Sequence, residues 1–257
     1  FLSCLKKLPA FRRESCHDYL KWGGFPLRFQ FSDETSVRRY LLNLYESIVR
    51  KDIIGKNKRI NGGAFKAISL YVLANSGKEF SASNIANYCN ANEFPEVSER
   101  TVYGYLEKMQ KAFLLHPVRK YAVSGKAILK SKEKYYAVDM RFRTATSNTV
   151  KIEEGFFLEN IIYNELRVRG YTVFTGKTYK GEVDFVAVKD GKKCFLQVAY
   201  LLADEAVIKR EFDAFAPISD ASPKYVMSLD RIDFSRDGIV HLNIIDFLLH
   251  KVDIYLT

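Results

Sequence analysis

Residues 180–188 read KGEVDFVAV, and residues 193–200 read KCFLQVAY. Both segments are dominated by Val, Phe, Ala and Leu, which suits strands buried within a sheet. The residues between them, KDGK, contain the Asp-Gly pair of a tight turn. The sequence therefore predicts two strands joined by a short turn. Asp184 and Gln197 interrupt the apolar runs, and because an unpaired buried charge is costly, these two positions are candidate site residues.

The chain after residue 139 alternates between helical and extended patterns. Helices are predicted over Glu153–Arg169 and Glu205–Phe215, and further strands over Tyr171–Thr175 and Tyr225–Leu229. Ile239–Leu249 is predicted to close the chain as a strand and a helix. Strands mixed with flanking helices indicate an α/β domain over residues 139–257.

Residues 61–138 show a different order of elements. Three helices are predicted: one over Ala64–Ser76, one capped by Ser81 and one capped by Ser98. Strands at Phe113–Val118 and Lys134–Val138 follow them. Helix, short helix, helix and hairpin is the order of a winged helix. Residues 1–60 read as a helical lead-in, so the predicted fold class is α+β, with a helical and winged-helix part before the mixed α/β domain.

The charge of the chain favours a polyanionic partner. The net charge is +10 and the pI is about 9.3, which makes DNA a candidate partner. The residues predicted to contact nucleic acid are Ser98, Arg100, Thr101, Tyr103 and Lys108 in the third helix and Arg119, Lys120 and Lys126 in the wing. Docking onto a partner protein remains open, and a lysine-rich hairpin can also be a solvated edge that resists aggregation.

Cysteine usage and hydropathy restrict the environment. Cys4, Cys16, Cys89 and Cys194 are scattered without a Cys-x-x-Cys pair, so neither a disulfide framework nor a zinc cluster is predicted. A reducing, cytoplasmic environment is expected. No apolar run approaches the roughly 18 residues of a membrane span, and no signal peptide is found, so no membrane partner is expected.

Three side chains are predicted to form a metal or catalytic site. Carboxylate and amide oxygens are the ligands that Mg²⁺ prefers. Asp184 is the predicted main ligand, and Gln197 and Glu159 complete the set; Glu159 lies in an apolar run of the Glu153–Arg169 helix. Glu182 is predicted to share the face of Asp184 by strand alternation. Two structural readings remain open: Glu159 can pair with a lysine, and Gln197 can be a satisfied polar group at a strand end.

Four segments together resemble the C-terminal region of prokaryotic AAA-type ATPases. They are residues 19–26 (YLKWGGFP), 48–53 (IVRKDI), 135–139 (YYAVD) and the 181–200 hairpin. That region combines a winged helix with a fold similar to PD-(D/E)XK, or restriction-endonuclease-like, nucleases. The resemblance implies that an ATPase domain precedes residues 1–60 in the intact protein. Since the chain contains no G-x-x-x-x-G-K-[ST] loop, we expect it not to bind ATP itself.

The resemblance also assigns roles to the candidate residues. Glu159 matches the helix acid of the nuclease motif, Asp184 the strand acid and Gln197 the second ligand, while Ala199 stands where such enzymes carry a lysine. The expected function is therefore a non-ATPase module that binds DNA or a partner protein, with a nuclease-like domain that does not cleave and no certain cofactor. One alternative is an active Mg²⁺-dependent nuclease in which Lys177 or Lys180 replaces the missing lysine. The other alternative is a scaffold that only binds proteins.

Overall fold

The computed structural model describes residues 19, 22–57, 59–92, 96–129, 133–146 and 154–256. Its helices are α1 (Glu34–Ile48), α2 (Gly62–Ala74), α3 (Ala82–Ala91), α4 (Glu99–Lys111), α5 (Arg141–Thr146), α6 (Glu154–Val168), α7 (Glu205–Asp213) and α8 (Ile244–Leu248). Its strands are β1 (Leu115–Val118), β2 (Lys120–Ala122), β3 (Ala127–Ile128), β4 (Lys134–Ala137), β5 (Thr172–Lys177), β6 (Glu182–Lys189), β7 (Lys192–Val198), β8 (Lys224–Ser228) and β9 (Ile239–Asn243). The predicted α+β class is confirmed.

The described residues form two compact units, each discontinuous in sequence. The helical unit comprises residues 19–117 and 133–146, with gaps at the residues that are not described. The sheet unit comprises residues 118–129 and 154–256. Among the described residues, no helix has the length and hydropathy that crossing a bilayer requires.

Side-chain caps begin the helices of the helical unit. The side chains of Asp33, Asn61, Ser81 and Ser98 accept hydrogen bonds from backbone N–H groups in the first turns of α1, α2, α3 and α4. Apolar residues at helical spacing then face inward. In α4 these are Val102, Leu106 and Met109, all buried. Strands β1 and β4 form a two-stranded sheet, and an antiparallel bridge joins Glu79, between α2 and α3, to Lys134 of β4.

Asp139 holds the Gly pair of the YLKWGGFP segment in the helical unit. Its carboxylate accepts hydrogen bonds from Gly24 N at 2.6 Å and from Arg141 N at 2.8 Å. Gly23 has φ +79°, and a Cβ at this position would lie 2.7 Å from Asp139 Oδ1. Burial raises the pKa of Asp139, and the two backbone donors oppose that rise. Glycine is therefore required at residue 23 by both backbone conformation and space.

The sheet unit contains a seven-stranded mixed sheet in the order β3-β2-β5-β6-β7-β8-β9. Strands β5, β6 and β7 are antiparallel neighbours, and β7, β8 and β9 run parallel. One face packs against α7 around buried Val183, Val186 and Phe212. On α6, the ring of Tyr163 lies 6.2 Å from the ring of Phe185 of β6.

The segment predicted to form the wing pairs with a strand of the sheet unit. Residues 120–122 pair in parallel with β5, with Lys120 opposite Thr175, and β3 pairs with β2. Arg119, Lys120 and Lys126 therefore belong to the sheet unit, whereas Ser98, Arg100, Thr101, Tyr103 and Lys108 belong to the helical unit. The reason is packing at a distance in sequence: the Tyr121 ring lies 5.9 Å from the Phe174 ring and packs against the sheet core.

The division of the chain also differs from the expected boundary near residue 139. Helix α5, which follows that boundary, lies in the helical unit, where buried Ala145 packs with Val37 and Leu41 of α1. The described residues before residue 60 belong to the same unit as α2, α3 and α4 rather than to a separate lead-in. Residues 147–153, the end of the predicted polar boundary, lie outside the described residues.

Candidate functional site

Asp184 and Gln197 lie where β6 and β7 separate. The ladder between the strands runs from the pair Lys189 and Lys192 to the pair Phe185 and Leu196. Beyond it, side chains replace the main-chain bonds: Asp184 Oδ2 accepts from Val198 N at 2.8 Å, and Asp184 N donates to Gln197 Oε1 at 3.3 Å. The structure thus brings two of the three predicted site residues into direct contact.

A β-bulge shapes this end of β6. Phe174 of β5 is opposite Val186, whereas Gly176, two residues later, is opposite Val183, so β6 contains one extra residue. Val183 and Val186 consequently reach the same apolar core although three positions separate them. Strand alternation does not hold across a bulge, so the prediction that Glu182 shares the face of Asp184 loses its basis.

Glu211 of α7 is a site residue that the sequence reasoning missed. Its side chain is buried, its Oε2 accepts from Gln197 Nε2 at 2.9 Å, and its Oε1 accepts from Arg210 at 2.6 and 2.9 Å. Because the backbone N–H of Asp184 can only donate, the amide oxygen of Gln197 faces Asp184 N and its amide nitrogen faces Glu211. The sequence does contain a sign of this residue, because Glu211 is an acid on the apolar face of a helix, between Ile208 and Phe212.

Glu182 forms a charged cluster with two lysines. Its Oε1 lies 2.9 Å from Lys120 Nζ and 3.8 Å from Lys177 Nζ. Lys120 is nearly buried, because β2 carries it against β5, whereas the side chain of Lys177 is half exposed. Lys180, the other predicted replacement lysine, lies 5.7 Å from the centre of the Tyr179 ring. A lysine therefore does approach a carboxylate of β6, although that carboxylate is Glu182.

Glu159 and Ala199 complete the predicted motif. Glu159 is buried on α6 and takes part in polar interactions there. Ala199 is buried in the apolar core with Leu202 and Ile208. Among the described residues, no group of three His, Cys, Asp or Glu side chains could hold a metal ion. Asp184 Oδ2 and Gln197 Oε1 each accept one backbone N–H group, and the second carboxylate oxygen of Asp184 is the atom that a cation would meet first.

The helix predicted to contact nucleic acid, α4, divides its polar residues between two roles. Ser98 Oγ accepts from Thr101 N at 3.2 Å and pairs with Thr101 Oγ1 at 3.0 Å, so both residues cap the helix. Lys108 Nζ donates to Gly104 O at 3.3 Å. Arg100 is exposed, and Tyr103 exposes 59% of its surface. Arg100 and Tyr103 are therefore the exposed members of the predicted set that do not belong to the cap.

Comparison with known proteins identifies the family. A domain of unknown function, DUF8612, matches residues 13–150. The chain belongs to the DUF8612 family. The matched region covers α1 to α5 and β1 to β4, whereas Asp184, Gln197 and Glu211 follow it.

Two uncharacterized proteins are relatives of this DUF8612 chain. One, from Haemophilus influenzae, is 30% identical over 233 residues, which is 90% of this chain and 57% of the relative. The other, from Methanocaldococcus jannaschii, is 26% identical over 235 residues, which is 90% of this chain and 52% of the relative. The chain thus spans little more than half the length of each relative, and the similarity extends into the sheet unit. No solved structure matches the chain.

Proposed function

We propose that the chain is the non-ATPase module of a larger AAA-type ATPase and that its helical unit binds duplex DNA through α4. The order of elements carries this proposal. The elements follow one another as the parts of a winged helix do: helix α2, the bridging residue Glu79, helices α3 and α4, and strands β1 and β4. In that arrangement the third helix is the one that enters the major groove.

Charge distribution supports the same function. The described residues of the helical unit include fifteen Lys and Arg against ten Asp and Glu, which is +5 of the net +10. On α4 itself, Arg100 and Tyr103 are exposed and can reach a groove or a phosphate. An excess of basic residues supplies the sequence-independent part of DNA affinity.

The sheet unit suits a nuclease-like domain that has lost cleavage. Its order of α6, three antiparallel strands, α7 and a parallel strand resembles that of a restriction-endonuclease-like core, which supports this reading. Yet position 199 is an alanine in the apolar core, and Gln197 is engaged at both ends of its amide by Asp184 and Glu211. Losing one preorganised charge stabiliser costs about 10²–10³ in rate, so we expect a folded domain whose cleavage is very slow or absent.

A salt titration tests the DNA proposal. Binding of a labelled duplex, followed by fluorescence anisotropy, should weaken with log salt with a slope of about −0.9 for each phosphate neutralised. Arg100→Ala should weaken binding and reduce the slope by about one. Arg231→Ala, which removes an exposed arginine of the sheet unit, is the matched control. Absence of duplex binding at low salt would contradict the proposal and favour a protein partner.

An active nuclease is the second candidate, and the position of Lys120 favours it. Lys120 reaches β6 from β2 and lies 2.9 Å from Glu182, two residues from Asp184. The test is plasmid nicking by the whole chain with Mg²⁺ or Mn²⁺ added. Loss of nicking in both Lys120→Met and Asp184→Asn, but not in the exposed Lys192→Met control, would support it. No nicking by the wild-type protein with either metal would exclude this candidate.

A further inference from the structure

Phe113, just after α4, combines two unfavourable features. Its φ is +55°, in the left-handed region that residues with a Cβ rarely adopt. Its side chain is 71% exposed, so packing does not compensate for this backbone conformation. An outlier of this kind, where glycine would be free of strain, points to a function of the side chain.

The geometry of the helix end explains why the left-handed conformation is imposed. Phe113 N donates to Gln110 O at 3.0 Å, and Leu114 N donates to Met109 O at 2.9 Å. This is the Schellman motif, in which the residue after the C-cap is usually glycine. Leu114 is fully buried and anchors the turn. Phe113 therefore projects outward from a fixed backbone.

A basic cleft of about 490 Å³ lies beside the ring of Phe113. Its lining includes Lys56, Lys108 and Lys111. Lys56 pairs with Asp52 at 2.8 Å and Lys111 with Glu107 at 2.6 Å, and both pairs are exposed to solvent. Because an ammonium carries three donors, these lysines can still donate to a phosphate. An exposed aromatic ring next to lysines is the arrangement that binds a nucleotide by stacking and charge.

We propose that this cleft binds one unpaired nucleotide of a DNA strand, with the base stacked on Phe113 and the phosphate held by Lys108 and Lys111. This site deepens the proposed DNA-binding function and rests on it. The lining contains three lysines against two acids, Asp52 and Glu107, so one positive charge remains in excess to attract a phosphate. The cleft lies at the C-terminal end of α4, beyond Arg100 and Tyr103, so single-stranded and duplex contacts can be separated by mutation.

The test compares labelled oligothymidine with a duplex, using the full chain and the variant Phe113→Gly. Glycine relieves the left-handed strain, so the melting temperature should rise by a few degrees. Loss of stacking should weaken oligothymidine binding by about tenfold. Phe113→Trp should retain that binding. Asp190→Gly, which removes a left-handed φ of +53° from an exposed turn of the sheet unit, is the control that gains stability without losing affinity.

The outcomes separate this site from the broader DNA proposal. Weakened oligothymidine binding by Phe113→Gly, with duplex binding unchanged, supports the site. Equal oligothymidine affinity of Phe113→Gly and wild type overturns it and leaves a protein partner as the occupant. Wild-type protein that binds duplex but not oligothymidine overturns the site while the proposed function stands. If the wild-type protein binds neither oligothymidine nor duplex, both this site and the proposed DNA-binding function are overturned.

Discussion

Single residues determine the shape of β6 beside Asp184. The bulge requires Gly176, because a Cβ there would lie 3.0 Å from Val186 Cγ2 and 3.3 Å from Val183 Cβ. Both valines are fully buried and can move little. The position of the predicted catalytic acid thus depends on a glycine in the neighbouring strand.

Gly176→Ala should destabilise the protein by about 1–3 kcal/mol, because the added methyl overpacks the core at the bulge. Urea denaturation measures the change. Gly181→Ala is the matched control, since its Cβ would meet no atom within 4 Å, and it should be neutral or slightly stabilising. Equal free energies of unfolding for the two variants would refute the steric argument.

His241 of β9 is part of a buried polar network rather than a catalytic pair with Ser228. Phe234 N donates to His241 Nδ1 at 3.4 Å, so the proton resides on Nε2, which faces Ser228 Oγ at 2.8 Å. Ser228 Oγ in turn donates to Asp230 Oδ2 at 2.7 Å. A histidine protonated on this nitrogen cannot accept the proton of Ser228.

The free energy of unfolding should decrease as the pH falls below 6.5. Burial lowers the pKa of His241 from its usual 6.5, and the nearby carboxylates of Asp230 and Asp233 oppose this only in part. On acidification, the imidazole of His241 is therefore protonated in the unfolded chain before it is protonated in the folded protein. The free energy of unfolding falls over this pH range and stops falling once the folded protein is protonated as well. Denaturation of wild type and His241→Gln across this range should show a flatter profile for the variant; parallel profiles would exclude His241 as the cause.

At the scale of elements, the Gln197–Glu211 hydrogen bond ties β7 to α7. It spans fourteen residues of sequence and fixes the orientation of an amide whose other end meets Asp184. A double-mutant cycle with Gln197→Ala and Glu211→Ala should give a coupling energy of about 1.5–3 kcal/mol, because the bond involves a buried carboxylate. Additive effects of the two substitutions would mean that the bond does not stabilise the fold.

Local elements were predictable from the sequence, whereas long-range pairing was not. Ser81 and Ser98 cap α3 and α4 as their type and spacing indicated. Asp190 and Gly191 turn between β6 and β7 as expected. The segment after β1 was assigned to a wing because a hairpin is the nearest partner, but Lys120 pairs with Thr175. The spacing of apolar residues within a strand does not indicate which distant strand it will pair with.

In the candidate site, too, contacts within the hairpin were predictable from the sequence and contacts with other elements were not. The register of the predicted hairpin places Asp184 beside Gln197, so that contact followed from sequence. The bulge at β6 depends on β5, and the Glu211 contact depends on how α7 packs, so neither could be predicted from the hairpin alone. Side-chain partners supplied by a third element require the tertiary fold.

At the scale of the whole molecule, the described part of each unit contains one buried free thiol. Cys89 lies in the helical unit and Cys194 in the sheet unit. Burial raises the pKa of both thiols, that of Cys194 to about 12. Both should therefore be unreactive toward thiol reagents while folded.

In a variant with Cys4→Ser and Cys16→Ser, neither remaining thiol should be labelled near pH 8 under native conditions. Labelling during a urea titration, located by peptide mass, should report unfolding of the helical unit through Cys89 and of the sheet unit through Cys194. Rapid native labelling of either cysteine would contradict the packing described here.

Strand β2 has a consequence for how this polypeptide can be divided. It is synthesised before β5, the strand that it borders, and in the sequence it falls between β1 and β4, which pair with each other in the helical unit. In a fragment starting at residue 154, the backbone N–H and C=O groups on the outer edge of β5 would be unpaired. Such an edge strand is prone to aggregation through pairing with other chains. No single proteolytic cut releases either half intact, so truncation experiments must retain residues 118–129 together with the C-terminal portion.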